Sequence, residues 1–472
     1  MSKTIRLGNE SFPIACLGMS FIFAWMTSSF FTSNQSPIAS YGFIDVWIPF
    51  QAGAFISFFF FVLSEKKLGE LSLNSHVQLA AIFFVAFGTL LMSVGSEIST
   101  IQILITSSVG AAAAGFGMVP LFIAWGYVFL RISTAQAEVV IPVNIVIAMV
   151  LSVLLSLITA WWVTVITVLL SILSFIFLRL AFKEIGEIKP ARKTEANAVT
   201  WKIPWKIPLL LIVFWAAFDI SRSYALAVGT TASPQAFLLI SIMGVAIATV
   251  VTFVFLFFSN KVSFFSILQI VLPLSCASLL LTPLVPERFL TLAFVIGFIA
   301  SINLDVYIWI LASSLARKGR FSCTRIVGGS RLAVQGGGLI GVIIVSLVPA
   351  ELKALVISIL IIILIIVVML AAPELEAFEG REKKAAAEEF SPEVSVKDEL
   401  ALRCEQLGVR FNLSQREIEV LQLLSKGRDA PYIRDTLYIS RNTVNTHVKS
   451  IYRKLGIHSK QELLNRTEAP ME

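Results

Sequence analysis

About twelve apolar stretches, each near twenty residues long, constrain the fold of this chain most. A bilayer core needs roughly twenty apolar residues in a helix, and a helix satisfies its own backbone groups in lipid. Hydrophobic residues make up 57% of the chain and charged residues 14%. In soluble proteins about half of the residues are apolar and about a quarter are charged. We therefore predict an all-α chain with a polytopic helical bundle over residues 1–372. The predicted spans are 12–33, 46–64, 77–95, 101–130, 139–158, 161–182, 207–228, 233–258, 263–284, 289–315, 326–348 and 354–372.

The first stretch is too long and uninterrupted for a cleaved signal sequence, so we predict a first span there. Positive charge gathers in alternate loops, which sets the orientation of a membrane protein. The predicted outside loops hold only Arg288 and Lys353, whereas the central break at 183–206 and the other inside loops are basic. Both termini are therefore expected in the cytoplasm, and the chain in the cytoplasmic (inner) membrane.

Six spans, a basic loop and six further spans resemble the architecture of the major facilitator superfamily. The loop at 64–69 lacks the Asp-Arg pair of that family's signature. Its absence is evidence against a transport function more than against the fold. Polar residues inside spans are costly and indicate function. Asp219 and Arg222 are three apart and share a helix face, so they either bind a ligand, couple a proton or neutralise each other. Asp305 either lines a cavity or has a packing role, while Gln51 and Asn144 are expected to form interhelical hydrogen bonds.

The last sixty residues are different in kind, because they are basic and water-soluble. Ser414 with Glu417 predicts a capping box, and Ser440 predicts the start of a later helix that Gly456 ends. Ser459 with Glu462 repeats the capping pattern. The apolar positions between these signals recur at helical spacing. We predict four short helices, whose core residues are Ile418, Leu421, Leu424, Ile433, Leu437, Val444, Val448, Ile451, Tyr452 and Leu455.

Two short helices joined by a tight turn, with the second longer and polar outside, are typical of a helix-turn-helix. Ten basic residues against five acidic ones over 413–466 suit a nucleic-acid partner. The alternative is a four-helix bundle with a solvated basic face. The predicted outer-face residues are Arg441, Asn442, Asn445, Thr446, Lys449, Arg453 and Lys454.

The stretch LSQREIEVLQLLSKG followed by IRDTLYISRNTVNTHVKSIYRKLGI closely resembles the LuxR/NarL-type DNA-binding domain of bacterial transcription regulators. The resemblance implies that the third helix binds double-stranded DNA and that the fourth contacts a second copy in a DNA-bound homodimer. The implied base contacts are Asn445, Thr446 and Lys449, and the implied phosphate contacts are Arg441, Thr443 and Lys454. Arg453 lies on the same face. The implied dimer residues are Ser459, Leu463 and Leu464.

Residues 408–472 are the predicted DNA-binding domain, and 373–407 a charged linker with a lead-in helix. The linker is too short for a phosphoacceptor domain, so the input is expected from the membrane domain, a partner or DNA. Four scattered cysteines suggest neither a disulfide framework nor a zinc site. We expect no enzyme, metal or cofactor, because three histidines and no nucleotide-binding or nucleophile motif are present.

Two functions remain open. The first is a membrane-anchored transcriptional regulator whose transporter-like domain senses a small molecule. The second is a secondary transporter of the major facilitator type with a regulatory DNA-binding tail, in which Asp219, Arg222 or Asp305 couples ions.

Overall fold

The chain forms two compact units, Met1–Ala377 and Phe378–Glu472. A computed structural model gives the structure of most of their residues. The described residues are 4–7, 10–31, 46–68, 71–93, 100–158, 162–185, 205–232, 247, 250, 264–286, 290–317, 322–389, 403–408, 410–437, 439–459 and 461–464.

The first unit is built of long helices whose lengths follow the apolar stretches of the sequence. Except for the charged end of the last helix, each helix is apolar around most of its circumference, which is the pattern of a helix buried in protein or lipid. The helices are α1 (Met19–Phe31), α2 (Trp47–Leu68), α3 (Ser75–Ser93), α4 (Thr100–Arg131), α5 (Thr134–Ser156), α6 (Trp162–Ile185), α7 (Lys206–Ala232), α8 (Phe264–Leu284), α9 (Leu290–Arg317), α10 (Cys323–Leu347) and α11 (Lys353–Glu389).

Among the described residues, eight helices are long and apolar enough to cross a membrane, and Ile14–Phe30 and Leu268–Leu284 are shorter apolar helices. The predicted helical, multi-pass membrane architecture is therefore confirmed, while the count of twelve spans stays a prediction. The predicted eighth span (233–258) and the central basic loop (183–206) lie mostly outside the described residues.

Close helix packing in this unit depends on small residues and on polar contacts between helices. A Cβ atom added to Gly88 in α3 would lie 2.3 Å from the Gly110 carbonyl oxygen in α4, so the two backbones touch. Asn144 accepts from the Ser20 N–H at 2.7 Å and donates to the Cys16 carbonyl at 3.0 Å. The predicted interhelical role of Asn144 is thereby confirmed.

A short antiparallel hairpin precedes the helices, with β1 at Thr4–Leu7 paired to β2 at Glu10–Pro13. Gly-Asn between two short strands is a sequence signal for a hairpin turn, which the prediction of a span from residue 12 left out. The Gln136 side-chain amide in α5 donates to the Ser11 carbonyl at 2.6 Å. The hairpin is thereby tied to the start of α5.

Helix α11 continues well beyond the predicted end of the last span at residue 372. It runs from Lys353 to Glu389 with Pro373 inside it, so the first part of the predicted linker is helical. The residues after the proline are largely Ala, Glu and Lys, which favour a helix even in water. The ammonium of Lys206 lies 2.6 Å from the carboxylate of Glu374, which links α7 to this extension.

The second unit contains α12 (Gln415–Ser425), α13 (Ala430–Leu437) and α14 (Arg441–Leu455), with helical turns at 403–408 and 461–464. The predicted capping box of Ser414 and Glu417 and the predicted core are confirmed, with Ile418, Leu437, Val448 and Tyr452 only partly buried at the edge of the core. At the second predicted box the Ser459 hydroxyl caps Glu462 as expected, but the Glu462 carboxylate accepts from the His458 N–H at 2.9 Å. Part of the predicted lead-in helix is described, and its Cys404 and Leu407 pack in the same core. The buried core residues are Cys404, Leu407, Leu413, Val420, Leu421, Leu424, Ile433, Val444, Ile451, Leu455, Ile457 and Leu463.

Candidate functional site

Local hydrogen bonds fix both ends of α14, the longest of the three helices α12, α13 and α14. The Ser440 hydroxyl accepts from the Thr443 N–H at 3.1 Å, which satisfies one of the free donors at the helix start. Gly456 ends the helix with a φ of 66°, a left-handed conformation that glycine adopts without a Cβ clash. The Arg416 guanidinium donates to the Leu437 carbonyl at 2.7 Å, so α12 holds the end of α13 immediately before the turn.

One face of α14 packs on the core through Val444 and Ile451, and the opposite face is open to solvent. The open face combines cationic and amide or hydroxyl side chains, which suit phosphates and base edges respectively. The exposed residues are Arg441, Asn442, Thr443, Asn445, Thr446, Lys449 and Arg453.

The basic residues of this unit fall into two groups. Arg416 pairs with Glu419, and Arg434 lies 2.7 Å from Asp435. By contrast, Arg441, Lys449 and Arg453 form no ion pair with any residue in the described part of the chain. The three unpaired cations share the open face of α14. That face therefore presents positive charge that no carboxylate of the described residues neutralises.

Lys454 differs from the other predicted phosphate contacts. Its ammonium lies 2.7 Å from the Glu417 carboxylate and 2.9 Å from the Asn412 carbonyl oxygen, and the side chain is partly buried. Two internal acceptors thus already hold it. The structure gives Lys454 a role within the domain, because it joins the end of α14 to the start of α12.

The predicted dimer residues do not share one exposed surface. Leu463 is 0% exposed and belongs to the core of its own unit, so the expectation that it contacts a second copy is corrected. The Ser459 hydroxyl accepts from the Glu462 N–H at 3.1 Å and so caps the 461–464 turn. Leu464 is partly exposed.

In the first unit, Asp219 and Arg222 form a buried ion pair with a nitrogen–oxygen distance of 2.8 Å, and both side chains are 0% exposed. Asp219 also accepts from the Trp47 indole at 2.9 Å and from the Gln51 amide at 2.8 Å. A carboxylate with three donors is well satisfied in a low-dielectric interior. A Cβ added to Gly338 would meet the Gln51 nitrogen at 2.1 Å, so this glycine makes room for the cluster.

A second ion pair joins Asp305 in α9 to Arg331 in α10. The guanidinium also lies over the Trp309 ring, 4.7 Å from its centroid. Sequence reasoning singled out Asp305 but not Arg331 as a site residue. A cationic residue inside an apolar span was the available signal.

Both clusters border one cavity of about 100 Å³ inside the helical bundle. Asp305 and Arg331 line the cavity directly. Asp219 accepts hydrogen bonds from Trp47 and Gln51, and these two residues line the cavity. The remaining lining is mostly aromatic and apolar, which is typical of sites for small molecules. The apolar lining residues are Phe23, Met26, Phe58, Met118, Phe122, Ile145, Met149, Trp215, Phe218, Phe298, Ile302 and Val334.

Comparison with known proteins places the second unit. Residues 412–466 match the family "Bacterial regulatory proteins, luxR family". The Escherichia coli (strain K12) protein "Uncharacterized response regulatory protein YgeK" is 38% identical over 71 residues, 14% of this chain and 48% of that protein. "Oxygen regulatory protein NreC" of Staphylococcus aureus is 44% identical over 52 residues, and "Fimbriae Z protein" of E. coli is 43% identical over 53. Those stretches are 11% of this chain and 24% and 25% of the relatives.

The chain therefore spans between a quarter and about half the length of these curated relatives. A solved structure of the major facilitator superfamily proton:xylose symporter XylE, bound to 6-bromo-6-deoxy-D-glucose, is similar at 15% identity with a TM-score of 0.48. The alignment covers 77% of this chain and 96% of that one. The predicted LuxR-type domain is confirmed by the family match: residues 412–466 form a helix-turn-helix domain of the LuxR family, carried by a multi-pass membrane protein.

Proposed function

We propose that this protein is a membrane-anchored transcriptional regulator that binds double-stranded DNA through α14. The observation that carries the proposal is the open face of α14, where Arg441, Lys449 and Arg453 form no ion pair with any described residue. A helix of this width enters the major groove, and unpaired cations there attract phosphates.

Within α14 the residues divide by their chemistry. Asn445, Thr446 and Lys449 are assigned to base edges, because amide, hydroxyl and ammonium groups discriminate between bases in the major groove. Arg441, Thr443 and Arg453 are assigned to phosphates, which position the helix. Lys454 acts mainly through Glu417 and thereby sets the angle of α14. Two copies bind one palindromic site, and their contact uses Leu464 and its exposed neighbours rather than Leu463.

The membrane unit is proposed to lie in the cytoplasmic membrane with both termini inside, where the tail reaches DNA. Positive charge in the predicted inside loops supports that orientation. In this scheme the cavity is the sensor, since a ligand that prefers one conformation of the helices shifts its population. The shift then changes the accessibility or pairing of the tails.

The test is a selection of DNA sequences by fragment 378–472, which has its own core. Enrichment of a short palindrome, lost in the triple variant Asn445→Ala, Thr446→Ala and Lys449→Ala, is the expected result. The matched control is Lys426→Ala, which removes an exposed cation outside α14 and should retain the preferred sequence. Salt-sensitive binding without any preferred sequence would contradict regulation through base recognition.

Secondary transport is the second candidate, because the cavity is bordered by two buried ion pairs, and charged residues inside a membrane mark ion pathways. Uptake of a cavity ligand into proteoliposomes that is abolished by Asp305→Asn would support it. Binding of the same ligand without uptake would count against transport and support the sensor role.

A further inference from the structure

Arg331 is the least satisfied cationic group among the described residues of the cavity. The residue is only 5% exposed, and one terminal nitrogen, Nη1, donates to Asp305. Its Nε and Nη2 atoms are buried and form no hydrogen bond with the described part of the chain. These two nitrogens lie along the same edge of the planar guanidinium, so a two-pronged donor is left open.

Leaving charged donors buried without an acceptor costs more free energy than leaving neutral donors so. The cavity supplies no protein acceptor for that edge among the described residues, although Arg331 lines it. A planar fork of two N–H groups matches the two oxygens of a carboxylate. Asp305 on one side and the Trp309 ring below hold the guanidinium in place, so the fork is preorganised.

The same cavity offers acceptors as well as donors. The Oε1 atoms of Gln51 and Gln335 are buried and without hydrogen-bond partners in the described residues, and both side chains line the cavity. The Gln51 amide nitrogen donates to Asp219, which leaves its oxygen as an unused acceptor among the described residues. Gln335 follows Arg331 by four residues in α10, which places it on the same helix face. A ligand hydroxyl or amino group would satisfy these oxygens.

Size and lining limit the rest of the ligand. The cavity is about 100 Å³, smaller than a cavity of about 150 Å³ that holds one benzene molecule. The body of the ligand is therefore small, and a ring enters only if the lining side chains move apart. Its walls are mainly rings, including Trp47 and Trp215, and methionines, which favour a flat, apolar body.

We propose that the cavity binds a small apolar carboxylate, with a short chain or at most one ring, through the Nε and Nη2 edge of Arg331. A hydroxyl or amino group on the body donates to Gln51 or Gln335. The proposal rests on the proposed function in one respect only, because it takes the sensed signal to be this ligand. Ligand binding itself is independent of the DNA result.

The experiment is calorimetric titration of the full chain in nanodiscs, with empty nanodiscs as the blank for partitioning. The probes are benzoate, 4-hydroxybenzoate, hexanoate and dodecanoate, each beside its neutral amide. At least one of the three smaller carboxylates should bind at least about tenfold more tightly than its amide, because only the carboxylate uses both prongs of the fork. Tighter binding of 4-hydroxybenzoate than of benzoate would assign the hydroxyl to the glutamine oxygens. Preference for dodecanoate would identify a membrane-derived carboxylate and overturn the size limit.

Arg331→Lys keeps the charge beside Asp305 but removes the fork, and it should weaken carboxylate binding at least about tenfold. The matched control is Arg325→Lys on the same helix, at an exposed position that pairs with Glu65, and it should bind as the parent does. Equal affinity for acids and amides in the parent protein would overturn the proposal, whatever the variants do. Loss of base recognition by the tail, with acid binding retained, would overturn only the regulator function.

Discussion

The carboxylate of Glu417, at the start of α12, lies 2.7 Å from the ammonium of Lys454, near the end of α14. The same carboxylate accepts from the Ser450 hydroxyl at 2.6 Å and from the Ser414 N–H at 2.7 Å. One side chain therefore completes the cap of α12 and fixes the C-terminal half of the helix assigned to DNA. Stability and the orientation of α14 are coupled through it.

Replacing Glu417 with Gln should destabilise the second unit by about 2–3 kcal/mol, because a charge-assisted contact and half of a capping box weaken together. Urea unfolding of fragment 378–472 measures the change. Glu419→Gln is the control: its partner Arg416 is 41% exposed, and exposed pairs contribute about 0–1 kcal/mol. Equal effects of the two substitutions would contradict a special role for Glu417.

Acid should remove the same contribution. Burial raises the pKa of Glu417, but hydrogen bonds from Lys454, Ser450 and Ser414 outweigh it and lower the pKa from 4.5 to about 2. Because the folded pKa lies below the unfolded one, the stabilisation is full above about pH 4.5 and is lost as the pH falls towards 2. The amount is about 3 kcal/mol. Unfolding of the fragment at pH 6, 4 and 3 should show a steeper decline for the parent than for Glu417→Gln, and parallel curves would contradict the assignment.

The left-handed backbone at Gly456 should make the stability of the domain depend on which residue occupies this position. Gly456→Ala places a Cβ on a residue with φ of 66° and should cost about 1 kcal/mol, while Gly456→Asn should cost less because Asn tolerates this conformation better. No heavy atom lies within 4 Å of the added Cβ, so the difference reports backbone strain alone. Thermal unfolding of the fragment measures it, and an Ala variant as stable as the parent would exclude strain.

Local signals explain why the second unit was predictable from sequence. Ser414, Ser440 and Gly456 act on residues within one turn, so their roles follow from spacing. The contacts of Lys454 and Leu463 were not predictable in this way, because their partners are brought to them by tertiary packing. Lys454 meets a carboxylate 37 residues earlier, and Leu463 lies in a core that the sequence does not show in three dimensions.

In the membrane unit the sequence predicted the shared face of Asp219 and Arg222 because both lie on one helix. It did not predict that Trp47 and Gln51 complete the cluster, since these lie 172 and 168 residues away. The pairing of Asp305 with Arg331 on another helix was hidden for the same reason. Periodicity identifies which residues are inside a span, and only packing decides which of them meet.

The buried pair of Asp219 and Arg222 should respond unequally to single and double substitution. Asp219→Leu removes the carboxylate from a buried guanidinium and from the Trp47 and Gln51 donors, and should cost about 3–5 kcal/mol. The double variant, with Arg222→Leu added, should regain a large part, because no uncompensated charge remains. Thermal unfolding in detergent measures both. Arg325→Lys, which keeps the positive charge beside Glu65, should change little. A double variant less stable than the single would indicate that the pair is needed for folding.

The contact between Gly88 and Gly110 should make α3 and α4 sensitive to a single methyl group. Gly88→Ala would place its Cβ 2.3 Å from the Gly110 carbonyl oxygen and 2.7 Å from the Ala114 nitrogen, and backbone atoms cannot rotate away. The helices must separate, at about 1–3 kcal/mol and a fall of several degrees in Tm. Gly329→Ala in α10 is the same change with no atom within 4 Å, so it should be neutral or slightly stabilising because Ala favours a helix. Equal melting temperatures for the two variants in detergent would show that α3 and α4 are less closely packed than this contact requires.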